Sequence, residues 1–229
     1  MISIIVPTYN EVNTISELLQ YLQKNTKSKQ VEIIVIDGGS TDNTVEIAKS
    51  QSVQAIISPE KGRAAQMNYG ATIAKGDILY FVHADTFPPI TFVNDIINAI
   101  QGGFSFGRYR TKFNSTKKIL KINAFFTRFD LFVCYGGDQT LFMKKALFNI
   151  IEGFNSSMKI MEDYDIVIRA KLQANYKIIQ KDVLVSARKY ETNSWYQIQY
   201  ANYTIVQMFK NGATQQAMIE KYKSMLEYR

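Results

Sequence analysis

The N-terminal part of the chain alternates between short apolar runs and segments with helical spacing, and this alternation strongly constrains the fold. Mostly apolar runs occur at residues 2–7, 31–37, 53–58 and 77–82, as expected for buried strands. The segments between them place apolar or small residues at helical spacing, as Leu18, Leu19 and Leu22 do. Strands and helices that alternate at this spacing predict βαβ units, and hence an α/β fold with a mostly parallel central sheet flanked by helices.

The predicted strands end in residues that suit a binding site. Right-handed crossovers bring the carboxyl ends of parallel strands to one side of a sheet, and ligands of open α/β sheets bind there. Three of the four ends carry a carboxylate beside glycine or hydroxyl residues. Each residue taken singly is also typical of an ordinary turn, but their convergence on one rim favours a functional site. The four ends are Pro7–Glu11, Asp37–Ser40, Ser58–Glu60 and His83–Asp85.

The fourth strand end, with the sequence "HAD", raises the question of a metal. Asp85 at a strand end suits a hard divalent cation such as Mg²⁺ or Mn²⁺, which takes its other ligands from substrate phosphates and water. His83 is the only histidine of the chain. It fits a hard metal poorly, and the sequence leaves open a hydrogen bond to a ribose or phosphate and a histidine satisfied within the core.

Other rim residues suit a nucleotide, although two common nucleotide motifs are absent. Asp37 follows an apolar strand and suits the hydroxyls of a ribose or an N–H of a base. Lys61 and Arg63 precede a helix and suit a phosphate or a base carbonyl. The chain contains neither GxxxxGK[ST] nor, after the first strand, GxGxxG, which argues against a P-loop and a Rossmann dinucleotide site.

The pair Glu162–Asp163 begins a predicted helix. Carboxylates are stabilised at helix N-termini, so the pair could serve as capping residues. A carboxylate near the rim could equally act as a general base that takes a proton from a hydroxyl. The sequence alone leaves both interpretations open.

Charge and composition narrow the class of protein. The formal net charge of +7 and a pI near 9.3 indicate attraction to anions. Seven basic residues and no acidic residue lie between Gly102 and Arg128. Residues 108–132 combine these cations with aromatic side chains, which favours peripheral contact with an anionic membrane; a solvated face, or a core helix with extended lysines, is the alternative.

The chain shows no sign of a membrane span or a disulfide. The single cysteine, Cys134, excludes an internal disulfide and fits a reducing compartment. The N-terminal sequence lacks a basic region and does not resemble a signal peptide. No run approaches the roughly 18 apolar residues that a bilayer requires. We therefore expect a cytoplasmic protein, with or without peripheral attachment to the inner face of a membrane.

Four segments resemble the inverting family 2 glycosyltransferases with a GT-A fold: "SIIVPTYNE", "IIVIDGGSTDNT", "GRAAQMNYGATIAKGDILYFVHADT" and "GGDQTLFMKKALFNIIEGFN…MEDYDIVIRA". The match runs from Ile2 to about Trp195. The stretches "GRAAQMNYGA", "FVHADT", "GDQ" and "SARKY" resemble a bacterial subgroup called selenodomain-associated transferases. The resemblance implies a Rossmann-like GT-A domain at residues 1–195. It would have a nucleotide-binding half at about 1–100, an acceptor half at about 101–195 and a helical C-terminal extension at 196–229.

The same resemblance implies roles for individual residues. His83 and Asp85 take the place of the family's Asp-x-Asp motif, so Asp85 would bind the metal and His83 would lie at the nucleotide. Asp163, with Glu162 beside it, would be the general base. The other nucleotide contacts would be Pro7, Thr8, Asn10, Glu11, Asp37, Gly38 and Arg63. The sugar and acceptor would meet Gly136, Gly137, Asp138 and Gln139, and the diphosphate would meet Arg188 and Lys189.

The implied activity is transfer of a single sugar from a nucleoside-diphosphate sugar, most often a UDP-sugar, to an acceptor hydroxyl with inversion, assisted by Mn²⁺ or Mg²⁺. The absence of a Gln-x-x-Arg-Trp motif argues against a processive synthase. A lipid-linked acceptor, a role in bacterial cell-envelope glycans and a homodimer through the C-terminal helices remain open, and no nucleic acid is expected as a partner. A nucleotidyltransferase and a non-catalytic basic protein that binds nucleic acid or membrane are the alternatives.

Overall fold

The computed structural model describes residues 1–26, 30–136 and 140–227, which form a mixed eight-stranded sheet covered by helices. The strands are β1 Ile2–Thr8, β2 Val31–Asp37, β3 Gln54–Ile57, β4 Ile78–Phe81, β5 Thr86–Phe87, β6 Phe106–Asn114, β7 Leu141–Lys144 and β8 Tyr176–Ser186. The helices are α1 Ile15–Thr26, α2 Thr44–Ser50, α3 Arg63–Ile73, α4 Phe92–Gln101, α5 Leu120–Phe126, α6 Lys145–Ile150, α7 Glu162–Lys171, α8 Lys189–Thr192, α9 Trp195–Lys210 and α10 Gln215–Met225, with a 3₁₀ turn at Phe132–Cys134.

The strand order is β3-β2-β1-β4-β7-β6-β8-β5. Strands β1 to β4 are parallel to one another, which confirms the sequence-based prediction for the N-terminal half. The second half is more mixed than predicted, because β7 runs antiparallel to both β4 and β6, and β5 runs antiparallel to β8. The carboxyl ends of β1, β2 and β4 therefore lie side by side, where α/β sheets bind their ligands.

Alternate residues of the central strands enter two separate hydrophobic cores. Ile4 and Val6 of β1 pack on one face of the sheet with residues of α1 and α4, and Ile5 packs on the other face with residues of α3 and α7. Because both faces are covered, β1 is fully buried along its length. The sheet is thus a rigid base for the loops at its carboxyl edge.

Strand β5 lies far in the sheet from β4, its neighbour in sequence. After β4, residues 82–85 cross the carboxyl edge, and β5 pairs at the far end of the sheet, where Thr86 lies opposite Val185 of β8. The loop that carries His83 and Asp85 is therefore held at both ends by the sheet.

The C-terminal segment forms two helices, as the sequence predicts. Helix α9 begins with a capping box at Ser194, and it buries Ile198, Ala201 and Ile205. The chain turns near Gly212, which has a φ of 70°, before α10 begins. Three tyrosines of α9 are exposed by 62% or more: Tyr196, Tyr200 and Tyr203. The domain division at residue 195 and the homodimer remain predictions.

Helix α5 and the turn after it expose their apolar side chains. Leu120 is the one buried residue of α5, whereas Ile122, Phe125, Phe126 and Phe129 are each 44–47% exposed. The alternative of a core helix with extended lysines is therefore wrong. In the described part of the chain, no helix combines the length and hydropathy that crossing a bilayer requires.

Candidate active site

A cavity of ≈ 610 Å³ opens at the carboxyl ends of β1, β2 and β4. Its volume falls within the range of roughly 300–1,000 Å³ that is typical of ligand sites. Its wall joins residues from the first strand ends to residues that follow β8. It is lined by Pro7, Thr8, Tyr9, Glu11, Gly38, Lys61, Gly62, Arg63, Gln66, His83, Ala84, Asp85, Thr86, Val185, Ser186 and Arg188.

Asp37 organises the two loops that border this cavity. One carboxylate oxygen accepts hydrogen bonds from the backbone N–H groups of Gly39 and Ser40, and the other accepts from the hydroxyls of Thr8 and Ser40. The side chain is 1% exposed. Asp37 thus fixes the loop after β2 against the end of β1, and a contact of this carboxylate with a base or ribose remains a prediction.

Asn10 ties the same two loops together from the β1 side. Its side-chain Oδ1 accepts a hydrogen bond from the N–H of Thr41 at 2.9 Å, and its own N–H donates to Ser40 Oγ at 2.8 Å. Asn10 has a φ of 54°, a left-handed conformation that asparagine tolerates better than most residues. The hydrogen bonds seen here give Asn10 a positioning role, and its contact with a nucleotide stays a prediction.

Arg188 brings two carboxylates of the cavity wall together. Its Nη2 donates to Glu11 Oε1 and to Asp85 Oδ2, each at 2.9 Å, and its Nη1 donates to Glu11 Oε2 at 3.1 Å. The hydrogen bonds that Arg188 donates to Glu11 are the largest cause that raises the pKa of its guanidinium, and the charge of Asp85 adds to this effect. Glu11, in the loop after β1, and Asp85, in the loop after β4, thus both pair with the Arg188 guanidinium.

Helix α3 points its N-terminus at the cavity. Gly62 precedes the helix with a φ of 115°, a conformation that L side chains rarely adopt, and the helix has no side-chain cap. Backbone N–H groups at a helix N-terminus and the positive end of its dipole favour an anion. Lys61 and Arg63 flank Gly62 and also line the cavity, so this part of the wall suits a phosphate group.

Arg63 connects the cavity to the start of α7. Its Nε donates to Glu162 Oε1 at 2.5 Å, and its Nη2 lies 3.3 Å from Asp163 Oδ2. Glu162 is 1% exposed, whereas the Asp163 side chain is 16% exposed. The sequence grouped both residues as catalytic, but the burial of Glu162 keeps it from an acceptor. Glu162 positions Arg63, and Asp163 remains the candidate base.

The remaining predicted site residues do not all lie at this cavity. His83 is half-buried in the cavity wall, and Lys189 begins α8 directly after Arg188. Gly136 lines a second cavity rather than this one. Gly137, Asp138 and Gln139 lie outside the described residues.

The carboxylates of Glu11 and Asp85 suit one divalent cation whose other ligands come from substrate and water. Among residues 1–26, 30–136 and 140–227, no cluster of three or more His, Cys, Asp or Glu side chains could hold a metal. Glu11 and Asp85 nevertheless already share the charge of Arg188. Mg²⁺ and Mn²⁺ bind to one or two carboxylates together with substrate phosphates and water, so these two residues fit such an ion.

Gln66 is a site residue that the sequence analysis missed. Its Nε2 donates to the carbonyl oxygens of Thr8 at 2.7 Å and Ile36 at 2.8 Å, joining the ends of β1 and β2 beneath the cavity. A Cβ at Gly38 would come within 3.2 Å of the Gln66 amide, so glycine lets the loop after β2 approach it. The available signal was a polar residue between Ala65 and Met67, on the buried face of α3.

Comparison with known proteins gives the family. The model of Glycosyl transferase family 2 matches residues 3–156. Glycosyltransferase GlyG of Streptococcus pneumoniae is 32% identical over 107 residues, which cover 44% of this chain and 35% of that protein. The chain spans between 30% and 61% of the length of the first curated relatives that it matches.

Solved structures give the fold. Staphylococcus aureus TarS (residues 1–349, in complex with UDP-GlcNAc) has a TM-score of 0.67 at 21% identity and covers 82% of this chain and 58% of its own. The mannosyltransferase PcManGT of Pyrobaculum calidifontis, in complex with GDP-Man and Mn²⁺, has a TM-score of 0.68 at 15% identity. The match covers 98% of this chain and 70% of PcManGT. The architecture is the GT-A fold of such enzymes, as the sequence predicts. With the family match over most of its length, the chain belongs to glycosyl transferase family 2.

Proposed function

We propose that this protein transfers a single sugar from a nucleoside-diphosphate sugar to an acceptor hydroxyl, with inversion at the anomeric carbon. One observation carries the proposal: two carboxylates, Glu11 and Asp85, and a cationic wall meet in one cavity at the carboxyl edge of the sheet. Family membership supports sugar transfer, and the cavity supports a donor that carries both a base and a diphosphate. Assignment to the selenodomain-associated subgroup rests on "HAD" and "SARKY" and remains part of the proposal, as does a role in cell-envelope glycans.

The donor would lie along the carboxyl edge of the sheet. The base and ribose would lie against Pro7, Thr8 and the loop that Asp37 organises, and the diphosphate would face Arg63, Arg188 and the N-terminus of α3. TarS has been crystallised with UDP-GlcNAc and PcManGT with GDP-Man. Uracil is the base we propose, because TarS binds a UDP-sugar; Asp37 would act by holding the loop against which the base lies.

A divalent cation would be held by Asp85, with Glu11 as the second carboxylate. When bound, the ion neutralises charge that develops on the departing diphosphate. Arg188 is the residue of this chain that can supply positive charge at the same point, since its guanidinium already reaches both carboxylates. PcManGT was crystallised with Mn²⁺, and Mn²⁺ or Mg²⁺ is the cofactor we propose here.

Asp163 would act as the general base. The proton of the acceptor hydroxyl would move to the Asp163 carboxylate. An electron pair on the acceptor oxygen would then form the bond to the anomeric carbon. The bond from that carbon to the diphosphate would break, and its electrons would leave with the diphosphate. Arg63 holds Asp163 beside the donor cavity through its 3.3 Å contact. Glu162 in turn holds Arg63, so the first turn of α7 links the base to the donor.

The first test is calorimetric titration with UDP, GDP, CDP and ADP, each with and without Mn²⁺, followed by turnover of the matching nucleotide-sugars. We expect tight, Mn²⁺-dependent binding of UDP and release of UDP from a UDP-sugar only when an acceptor is present. Release of pyrophosphate from a nucleotide would instead favour a nucleotidyltransferase. Binding of none of the four, with steeply salt-dependent binding of nucleic acid, would favour the non-catalytic alternative.

We also propose that the exposed surface of α5 contacts an anionic bilayer. Its apolar side chains are flanked by Lys117, Lys118 and Lys121, and no acidic residue occurs between Gly102 and Phe129. Apolar side chains that enter the headgroup region beside cations give this kind of peripheral attachment. The protein would then work at the inner face of a membrane.

Charge removal on α5 tests the membrane proposal. Each lysine near an anionic surface contributes about 1 kcal/mol, so Lys118→Gln with Lys121→Gln should weaken co-sedimentation with phosphatidylserine-containing vesicles about 30-fold. Lys24→Gln with Lys49→Gln, on α1 and α2, changes the net charge equally and serves as the control. Failure of the wild-type protein to sediment with anionic vesicles would remove the membrane from the proposal.

A further inference from the structure

A second cavity, of ≈ 280 Å³, lies between helix α9, strand β6 and helix α5. It is distinct from the donor cavity, with which it shares no lining residue among those described. Its principal wall residues are Thr111, Phe126, Tyr164, Tyr190, Gln199 and Tyr203. Helix α9, in the C-terminal extension, supplies four of its wall residues.

Two polar groups in the wall have no partner among the described residues. The Thr111 hydroxyl and the Gln199 amide nitrogen are both buried without a hydrogen bond. Thr111 is 3% exposed. A buried polar group without a partner is costly, and native proteins contain few of them. Two such groups around one cavity offer hydrogen-bonding positions to a ligand with polar atoms.

The described wall of this cavity carries no charge. Neither Asp, Glu, Lys nor Arg is among its described lining residues, which are aromatic, aliphatic, hydroxyl or amide side chains, Cys134 and Gly136. A phosphate or carboxylate would be desolvated here without a counter-ion, at a high cost. The cavity therefore suits an uncharged group that bears hydroxyls or amides.

The mouth of the cavity is apolar. Phe126, Val133 and Tyr203 line it and are 46%, 63% and 62% exposed. Phe126 stands beside Phe125 on α5, with ring centroids 5.7 Å apart. A ligand that enters with an uncharged polar group would lay an apolar stem across these side chains, which otherwise face water.

Helix α7 lines the second cavity and contacts a residue that lines the donor cavity. Arg63, which lies 3.3 Å from Asp163, lines the donor cavity, and Tyr164, the residue after Asp163, lines the second one. Tyr164 also packs beside Gly136, where an added Cβ would lie 3.4 Å from its ring. A ligand in the second cavity would therefore lie against the residue next to the candidate base.

We propose that the second cavity binds the acceptor, and that the acceptor is an uncharged amphiphile: a hydroxyl-bearing group such as a glycosyl unit on an apolar stem. The acceptor role rests on the proposed function, whereas the binding site and its ligand class rest on the cavity alone. The unpartnered Thr111 and Gln199 groups bind the hydroxyl-bearing part, and Phe126, Val133 and Tyr203 bind the stem.

Trp195 provides a probe that needs no turnover. It is the only tryptophan of the chain, and its indole N–H donates to Asn123 Oδ1 at 2.9 Å. Asn123 lines the cavity and also donates to the Tyr190 hydroxyl. Octyl glucoside, kept below its micelle concentration, should change the Trp195 fluorescence saturably. Glucose should bind at least tenfold more weakly, and octyl phosphate should not bind.

Removing the unpartnered groups separates a binding role from a structural one. Thr111→Val and Gln199→Leu should each weaken octyl glucoside binding about three- to tenfold, the value of one hydrogen bond. Both should leave the Tm of the free protein unchanged or raise it, because they remove a buried polar group that had no partner. Thr204→Val is the control, since that hydroxyl is on α9 and donates within the helix to the Tyr200 carbonyl.

The outcomes distinguish this inference from the proposed function. Absence of a saturable change, equal binding of octyl phosphate, or wild-type affinity in both variants would overturn the assignment of the cavity. Octyl glucoside binding in a protein that binds no nucleotide would support the cavity and contradict the sugar-transfer proposal. Nucleotide binding without octyl glucoside binding would contradict the assignment of the cavity and support the sugar-transfer proposal.

Discussion

Replacing Asp163 with asparagine is expected to lower kcat for sugar transfer about 10²–10⁴-fold, the usual contribution of a general base. Asparagine keeps the shape of the side chain but cannot take the proton of the acceptor hydroxyl. The Kd for UDP should stay within a few-fold of the wild-type value, because Arg63 keeps its stronger contact with Glu162. The measurement is a steady-state assay of UDP release, paired with calorimetry on the same preparation.

Asp165→Asn is the matched control for this variant. Asp165 is on the same helix and has the same charge, but it pairs with Arg169 one turn later, with Nε 2.8 Å from Oδ2. Loss of such a partly exposed pair costs about 0.2–1 kcal/mol of stability, and kcat should not change. An Asp163→Asn enzyme that retained a tenth or more of the wild-type kcat would show that another group takes the proton.

Asp85→Asn is expected to weaken Mn²⁺ binding, measured with the nucleotide present, by about 100-fold or more. Losses of residues that merely orient metal ligands already cost 10–100-fold in affinity, and Asp85 would be a ligand itself. The Mn²⁺-dependent gain in UDP affinity should disappear with it. Mn²⁺ binding can be followed by the loss of the free-ion signal in electron paramagnetic resonance, which needs no catalysis.

Arg188→Ala should change metal binding in the opposite direction. In the structure the guanidinium neutralises Glu11 and Asp85 together, so its removal leaves two adjacent carboxylates that attract a divalent cation more strongly. The same change should weaken UDP binding, because a cation that faces the diphosphate is lost. If Arg188→Ala, like Asp85→Asn, bound Mn²⁺ more weakly than the wild type, Arg188 would support the metal site rather than compete with the metal.

Local patterns were sufficient to predict the N-terminal half of the fold. Strands β1, β2 and β4 appear as mostly apolar runs in the sequence. Parallel strands with right-handed crossovers leave little freedom in where their ends lie. The carboxylates Glu11, Asp37 and Asp85 could therefore be assigned to one rim from spacing alone. The resemblance to family 2 enzymes then predicted the GT-A fold, which the structure confirms.

Such local patterns could not predict contacts between residues that are distant in the sequence. The sequence does not show that Asp37 has all its hydrogen bonds within its own loops, that Glu162 is buried under Arg63, or that Gln66 joins two strand ends. Each depends on how elements pack. The exposed face of α5 was equally ambiguous, because an apolar stripe with lysines looks the same on a core helix and on a surface helix. The second cavity was missed because its wall comes from elements separated along the chain.

The ion pair of Arg188 with Glu11 has a consequence for the order in which the protein matures. The two residues are 177 positions apart, and β5 can pair only after β8 has been made. Such non-local contacts form late, whereas domains begin to fold from the N-terminus during synthesis. A nascent chain that has completed β1 to β4 thus exposes Glu11 and Asp85 without their counter-charge. The ribosome must deliver most of the chain before the donor cavity acquires its charge balance.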